Sequence, residues 1–406
     1  MPPATAIRMI RICFSLSIAL MVAACGHHDA TRSFASFPGF GSYFSQHPPS
    51  RTTPSSSDVQ LLVRYRPYLY IAPGGQDPID FYRNYLPATR MVDLDTQQVI
   101  ADPPLRRNLE THINDQRVML DLVRPLGGAH PTAYGRLERR DVDLPTANGP
   151  VRRRLTFLSY SFPFAHSGLP ARLGFKERLL VGAAETLLGW DRNDWHELDV
   201  YTRCTVVLDE HGSPSVVILA QHNYHRAYVI GVDIAAPIDG RFTITAAESS
   251  NELYPAPSGA QAQVRRAVQF YDHLDYVLSG DHPPLLHADD VIYGPRSGGL
   301  AVDYTLRFLP GDDPFYRFQG FLGEVRPFLG MYVGRSGSPG ADYYTLPELL
   351  PLEKTMMFSY LHDNDREDIE AVRHYLTGKT ADIQAMIRYG GGHLAEALAK
   401  RDASRQ

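Results

Sequence analysis

Residues 201–220 read Tyr-Thr-Arg-Cys-Thr-Val-Val-Leu-Asp-Glu-His-Gly-Ser-Pro-Ser-Val-Val-Ile-Leu-Ala. Two runs rich in β-branched residues, at about 198–208 and 215–222, flank the turn-forming segment Asp209–Pro214. This pattern is typical of an antiparallel hairpin. Similar runs continue to about residue 345. We therefore expect an α+β fold with a largely antiparallel β-sheet or sandwich core, inserted helices and a helical C-terminal cap.

Helical patterns interrupt and follow these strands. Apolar residues recur at spacings of three and four between 175 and 190, which predicts a helix. A second helix is expected at about 261–278. Two more are expected near the C-terminus, at 365–375 and 380–401, and Gly390–Gly392 is expected to break the last of them.

The folded part is expected to begin near Val59. Residues 61–71 alternate in polarity and predict strands broken at Pro67, whereas proline and glycine between 125 and 149 predict long loops or a small insertion within 100–155. The domain prediction assigns a signal peptide to 1–24, a lipidated cysteine and tether to 25–57, a β-rich main domain to 58–350 and the helical C-terminal cap to 351–406.

The N-terminus has the composition of a secretory signal. Arg8 and Arg11 precede an apolar run from Ile12 to Ala24, which is too short to cross a bilayer. Residues 26–57 are rich in serine, proline, glycine and histidine and show no apolar periodicity. A flexible tether of this length has a root-mean-square reach of roughly 30 Å.

The end of this signal, Val22-Ala-Ala-Cys25, resembles the lipobox of bacterial lipoproteins. The resemblance implies that Cys25 receives a diacylglycerol and becomes the first residue of the mature protein. Gly26, rather than aspartate, follows it, which by the same resemblance favours the outer membrane. We therefore expect a protein of the cell envelope, attached to the membrane through its lipid and facing the periplasm.

Composition narrows the possible partners. The chain has 40 basic and 45 acidic residues, and removing Arg8 and Arg11 with the signal changes the formal charge from -5 to about -7. This balance does not favour nucleic acid as a partner. Cys204 lies in a β-type run and is expected to be a small buried hydrophobe rather than a nucleophile.

Polar side chains concentrate on both sides of the predicted hairpin. Residues 190–199 carry four carboxylates, a histidine and two tryptophans, and residues 220–226 carry two histidines. If the first strand extends back far enough, Asp194 and His196 share one face because side chains alternate with period two. His222 and His225 then point to opposite faces.

The register of the hairpin decides which of these two histidines joins His196. If Leu208 pairs with Ser215, it is His225, and a slip by one residue substitutes His222. Histidine and carboxylate are natural ligands of zinc and similar divalent ions. The predicted metal ligands are Asp194, His196, His225 and His222, with Glu197 and Asp191 as further ligands or a base.

Two other interpretations of this region stay open. The histidines are equally explained by hydrogen bonds to loop backbone, as part of a purely structural network. A zincin helix is excluded because Val200 stands where its second histidine would be. The loop with His166 and Ser167 is a further candidate to line the same pocket, and as sequence alone it is a turn.

Residues 191–197, Asp-Arg-Asn-Asp-Trp-His-Glu, resemble the G-H-R-H-D-W-E segment of necrosis-inducing toxin-like proteins and the H-E-G-D-W-E segment of vacuolar-sorting-like proteins. Arg192, Asp194 and Trp195 match the toxin motif directly. Asp191 and Asn193 replace its two histidines. In the toxin family the segment holds a divalent cation in a β-sandwich that binds sphingolipid headgroups, so the resemblance implies a metal.

Two functions are compatible with these patterns. The first is a lipid-anchored binding or accessory protein whose ligand is a glycan, a lipid headgroup or another envelope protein. The second is a metal-dependent hydrolase acting on an envelope glycan or lipid, in which a bound ion activates water. No G-x-S-x-G motif occurs, which disfavours an ordinary α/β-hydrolase.

Overall fold

The computed structural model begins its description of the chain at Pro54. It describes residues 54–115, 117–128, 130–188, 191–193, 196–200, 202–221, 224–237, 239–257, 259, 262–268, 286–318, 320–323, 326–328, 331–333, 352–360 and 380–405. The signal, Cys25 and almost all of the predicted tether lie outside these residues, as does the predicted helix at 365–375.

The described helices are seven. They are α1 (Ser56–Arg64), α2 (Leu86–Ala88), α3 (Arg106–Thr111), α4 (Phe175–Leu188), α5 (Pro314–Arg317), α6 (Leu352–Phe358) and α7 (Thr380–Ser404), and a π-helical turn at Phe81–Tyr85 precedes α2. The strands up to the hairpin are β1 (Tyr68–Ile71), β2 (Thr89–Asp93), β3 (Val99–Ala101), β4 (Val118–Leu122), β5 (Thr132–Leu144), β6 (Val151–Ser161), β7 (Phe164–Ser167), β8 (Arg172–Leu173), β9 (His196–Asp199), β10 (Arg203–Leu208) and β11 (Pro214–Gln221). Those after it are β12 (Tyr224–Val229), β13 (Thr243–Ala246), β14 (Leu253–Pro255), β15 (Ala262–Val268), β16 (Leu286–Ile292), β17 (Leu300–Val302), β18 (Thr305–Phe308), β19 (Phe321–Leu322), β20 (Arg326–Phe328) and β21 (Met331–Val333).

A six-stranded sheet in the order β12-β11-β10-β6-β5-β18 forms the centre of the fold. Its neighbours are antiparallel except that β18 runs parallel to β5. The predicted hairpin is confirmed as β10 and β11, with Cys204 opposite Leu219 and a bulge before Leu208. The α+β prediction, with a largely antiparallel core and a C-terminal helix, is confirmed as well.

Both faces of the central sheet are buried. Val206, Leu208 and Val217 pack into one core against the four-stranded sheet β14-β13-β1-β17, whereas Val207 and Val216 pack against α6 and α7. Burial on both faces explains why the hairpin strands are continuous apolar runs rather than alternating ones. Cys204 is fully buried in the first core, and this burial raises the pKa of its thiol, as expected for a structural cysteine.

Four sequence predictions of local structure are wrong. Residues 61–64 are helical, because Ser55 and Asp58 form a capping box that starts α1. Residues 262–268 form a strand, because pairing with β16 overrides their helical spacing. Residues 132–161 contain the longest strands, β5 and β6, whose outer ends are joined by ion pairs such as Asp141 with Arg154 instead of an apolar pattern.

The fourth wrong prediction concerns Gly390–Gly392, which lie inside the continuous helix α7. A Cβ on Gly390 would lie 2.1 Å from the carbonyl oxygen of Met357, so the glycine allows α6 to pack directly against α7. Packing between the two helices therefore stabilises a segment whose intrinsic helix propensity is low.

A third unit packs near the N-terminal end of β5. It contains the sheet β19-β4-β2-β3 with α2, α3 and α5, and its core combines aromatic and aliphatic side chains. The buried Asp80 carboxylate accepts a 2.9 Å hydrogen bond from Tyr134 of β5 and lies 3.0 Å from the guanidinium of Arg307 of β18. These contacts fix the unit to the central sheet.

The candidate arginine cleft

A cavity of about 680 Å³ opens between the segment that leads into α4 and two neighbouring turns. Among the described residues, its lining includes three arginines, Arg172, Arg178 and Arg192, but only one acidic side chain, Glu248. The remaining lining residues are Leu169, Pro170, Ala171, Leu173, Asn193 and Ser249. The cleft is therefore positively charged although the chain as a whole carries a formal charge of -5.

Main-chain hydrogen bonds hold the walls of the cleft together. The amide of Gly168 donates to the carbonyl of Ser249 at 2.7 Å, and the amide of Leu169 donates to the carbonyl of Arg192 at 2.8 Å. Arg172 is fixed on β8, where its backbone lies opposite that of Asp289 in β16. Residues 168–172 thus meet three segments distant in sequence, at 192, 249 and 289, along one wall.

Gly168 makes the closest of these approaches. A Cβ at this position would lie 2.9 Å from the carbonyl oxygen of Arg192 and 3.1 Å from the Cα of Asn193. Any side chain would push the 192–193 turn away from β7. Glycine at 168 therefore keeps this wall closed.

The Glu248–Ser250 segment of this wall is a strained turn. Ser249 has a φ of +68°, and the amide of Ser250 donates to the carbonyl of Glu248 at 2.9 Å, which closes a γ-turn around Ser249. Non-glycine residues rarely adopt this conformation, and it costs of order 1–3 kcal/mol. Ser249 itself lines the cleft, so the strain is located at the candidate site.

A buried polar network supports the strained turn. Ser167 donates to the carbonyl of Ser250 at 3.0 Å, and Ser250 in turn donates to the fully buried Asp290 at 2.7 Å. Tyr254 donates to the other oxygen of the same carboxylate at 2.5 Å. On the neighbouring residue, the side-chain Nδ2 of Asn251 donates to the carbonyl of His166 at 2.8 Å. The turn is therefore over-determined and can retain its strain.

Two of the three arginines lack an acidic partner among the residues that the structure describes. Within the part of the chain that the structure describes, no carboxylate lies at ion-pair distance from Arg172 or Arg178, and both residues are exposed. Arg192 lies 3.4 Å from Glu185 of α4. Burial and the Glu248 carboxylate raise the pKa of Tyr293, an effect that the charge of Arg172 opposes. The unpaired guanidinium groups are suited to an anionic ligand.

The residues predicted to bind a metal are spread over several elements. Asp194 and His222 lie outside the described residues, and His196 is described as the first residue of β9. His225 is only 3 % exposed and lies on β12 opposite Ala220. Asp191 accepts a 2.8 Å hydrogen bond from the amide of Asn193 at an exposed turn.

The predicted strand geometry behind this site is wrong in three respects. The strand that contains His196 ends at Asp199 and pairs with β7, so it is not the start of β10. Leu208 pairs with Pro214 rather than Ser215 because of the bulge. His225 belongs to a third strand, β12, and not to the returning strand. The alternation rule therefore does not relate His196 to His225.

Glu197 has a structural role in the fold. Its Oε1 accepts hydrogen bonds from the hydroxyl of Tyr85 at 2.9 Å and from the amide of Leu122 at 3.1 Å. Burial and the Glu197 charge raise the pKa of Tyr85, which keeps the tyrosine a donor. This carboxylate joins β9 to the π-helical turn and to β4.

His166 and Ser167 do meet the predicted metal region, but on a strand rather than in a turn. His166 pairs with Glu197 and Ser167 with His196 across the β7–β9 ladder. Both ring nitrogens of His166 are buried without a hydrogen-bond partner among the described residues. Neither residue lines the arginine cleft.

Among the described residues, no three histidine, cysteine, aspartate or glutamate side chains are grouped to hold a metal ion. No helix in the same ranges is long and apolar enough to cross a bilayer. No family model, curated protein or solved structure matches the chain.

Sequence reasoning missed Arg172, Arg178 and Glu248. Arg192 was noted only for its place in the toxin-like motif. The sequence does show Arg178 as a charged residue beside apolar positions of the predicted helix α4. The cleft itself could not be predicted, because it forms only where the γ-turn at 248–250 approaches α4 from far along the chain.

Proposed function

We propose that the protein is a lipid-anchored envelope lipoprotein that binds an anionic group in the arginine cleft. The observation that carries this proposal is the combination of a 680 Å³ cavity with two guanidinium groups, Arg172 and Arg178, that have no carboxylate partner among the described residues. Arginine binds phosphate and carboxylate groups in bidentate geometry, so a ligand bearing either group is suited to the cleft.

The size of the cleft supports binding of a small group rather than of a polymer. Cavities of roughly 300–1,000 Å³ are typical of sites for small molecules. Asn193 and Ser249 add polar side chains beside the arginines. The ligand classes expected from the sequence, a lipid headgroup or an envelope glycan, both include anionic members.

Calorimetric titration with sn-glycerol 3-phosphate tests whether an anion binds in the cleft. We expect the double substitution R172Q/R178Q to weaken binding at least about tenfold, since it removes two charge-assisted contacts. The matched control is R107Q/R296Q, which removes two exposed arginines outside the cleft. Equal affinity of wild type and R172Q/R178Q would contradict the proposal.

Membrane attachment is tested separately, by labelling cells with radioactive palmitate. We expect label in the wild-type protein and none in the Cys25→Ser variant. Label that persists in Cys25→Ser would show that another group carries the lipid. Fractionation of the envelope then tests the outer-membrane prediction.

The metal-dependent hydrolase stays as the alternative proposal. It is favoured by the β7–β9 ladder, which sets His166 beside Glu197 and Ser167 beside His196. Elemental analysis of protein purified without chelators tests it. Stoichiometric zinc that disappears in His196→Ala would support the alternative, and a metal-free wild-type protein would contradict it.

A further inference from the structure

Helix α4 exposes two large apolar side chains next to the cleft. Phe175 is 72 % exposed and Leu179 is 60 % exposed, more than any other large apolar residue in the described ranges. They are four residues apart and therefore lie on the same side of the helix, one turn from each other. On another side of α4, Val181 is only 5 % exposed and packs inward.

Positive charge surrounds this apolar pair. Arg178 directly precedes Leu179 and lines the cleft, and Arg172 lies three residues before Phe175. A helix that combines exposed phenylalanine and leucine with arginine has the composition of an element that lies in the interface of a lipid bilayer. Arginine side chains are attracted there by anionic headgroups.

We infer that α4 docks on a phospholipid bilayer, where Phe175 and Leu179 enter the interface and the arginine cleft receives the phosphate of an anionic lipid headgroup. This inference rests on the proposed function, because the cleft supplies the anion site. The predicted tether between Cys25 and α1 reaches roughly 30 Å, which is enough for the folded domain to contact the membrane that holds its anchor.

A second copy of the chain suits this surface less well. Two apolar side chains of about 200 Å² each provide far less than the roughly 1,200 Å² that a stable interface buries. A symmetric contact through α4 would also bring Arg178 and Arg172 close to their counterparts. Like charges would then repel, whereas an anionic bilayer attracts them.

The test uses the mature chain, residues 25–406, with Cys25→Ser so that no lipid is attached. Sedimentation measures its binding to vesicles that contain phosphatidylglycerol and to vesicles of phosphatidylcholine alone. We expect binding to the anionic vesicles that weakens with added salt. F175S/L179S should reduce this binding at least about tenfold, because it removes two apolar side chains from the interface.

A matched control is L105S/L300S, which alters two leucines that are each 50 % exposed elsewhere on the surface and should bind vesicles as wild type does.

Titration with sn-glycerol 3-phosphate separates the two proposals, since F175S/L179S should retain this binding. Unchanged vesicle binding by F175S/L179S would overturn the docking inference alone. A wild-type protein that does not bind sn-glycerol 3-phosphate would overturn both the cleft proposal and the docking inference that rests on it. A wild-type dimer that F175S/L179S dissociates, without vesicle binding, would assign the surface to a second copy and overturn the inference.

Discussion

At the scale of single residues, the cleft depends on backbone conformations that its residue types disfavour. Ser249 and Asn251 both have positive φ, at +68° and +58°. Each is held by hydrogen bonds from outside the turn, through Gly168 and the carbonyl of His166 respectively. Strain of this kind often accompanies binding sites, where it pre-organises a surface.

We expect Ser249→Gly to raise the free energy of unfolding by up to about 1 kcal/mol, because glycine adopts positive φ without a steric penalty. Its greater freedom in the unfolded chain offsets part of this gain. Ser249→Val should destabilise by about 1–2 kcal/mol at the same site. Chemical denaturation of the wild type and the two variants measures the order of their free energies of unfolding. A valine variant as stable as the glycine variant would contradict the conformation of the turn.

The residues of the predicted metal site show how far sequence can reach at this scale. Period-two alternation describes side chains only within one strand, and the chain leaves the strand between Asp199 and Arg203. Residues 200–202 contain no glycine or proline that would indicate this break. Inside β9, Leu198 adopts φ +42° despite its bulk. By contrast, the β-type run around Cys204 predicts a buried cysteine, and Cys204 is fully buried.

At the scale of elements, helix α7 illustrates the limit of propensity. Three consecutive glycines predict a break, yet α7 is continuous because α6 packs on it. The capping box of α1 is also hard to recognise in the sequence, because the serines that precede the helix have the composition of a flexible linker. The hairpin was predictable because its turn and its two apolar runs are all local in sequence.

We expect Gly390→Ala and Gly392→Ala to have opposite effects. The added Cβ at 390 meets the Met357 carbonyl at 2.1 Å, so the two helices must separate and stability should fall by about 1–3 kcal/mol. At 392 nothing lies within 4 Å of the new Cβ, so alanine should stabilise by up to about 1 kcal/mol. Thermal unfolding followed by circular dichroism measures both. Equal effects would mean that α6 does not approach α7 at Gly390.

At the scale of the whole molecule, one buried ion pair ties the C-terminal cap to the central hairpin. Arg401 of α7 is 2 % exposed and donates to Asp209 in the β10–β11 turn at 2.9 Å and to the carbonyl of Pro214 at 3.0 Å. Arg405 lies 3.6 Å from the same carboxylate but is 46 % exposed. The two arginines therefore form a natural comparison between a buried and an exposed partner.

We expect Arg401→Ala to destabilise the protein by about 3 kcal/mol, because it leaves the buried Asp209 without its main partner. Arg405→Ala should cost less than about 1 kcal/mol, as exposed ion pairs do. Urea denaturation compares the two variants with the wild type. Similar losses for both would contradict the assigned burial.

The same pair predicts how stability changes with pH. Burial favours the neutral form of Asp209, but the hydrogen bonds from Arg401 and the amide of Ser213 outweigh it and hold the pKa of this carboxyl below 3.8. The guanidinium groups of Arg136 and Arg140 likewise outweigh burial and lower the pKa of Glu138. The unfolded chain then binds more protons in acid, so the stabilisation is present above the unfolded pKa and is lost as pH falls through the folded value.

Asp313 acts in the opposite direction, because burial raises its pKa and its contribution is lost as pH rises. The pKa is also lowered in four further carboxyls, Asp58, Asp93, Asp141 and Asp239. Since the carboxyls with a lowered pKa outnumber Asp313, we expect the urea midpoint to fall between about pH 5 and pH 3. Arg401→Ala should flatten this decline, because Asp209 then loses the contact that lowers its pKa. Arg405→Ala should leave the slope nearly unchanged. If the urea midpoint of Arg401→Ala falls with pH as steeply as that of the wild type, protonation of Asp209 does not cause α7 to detach in acid.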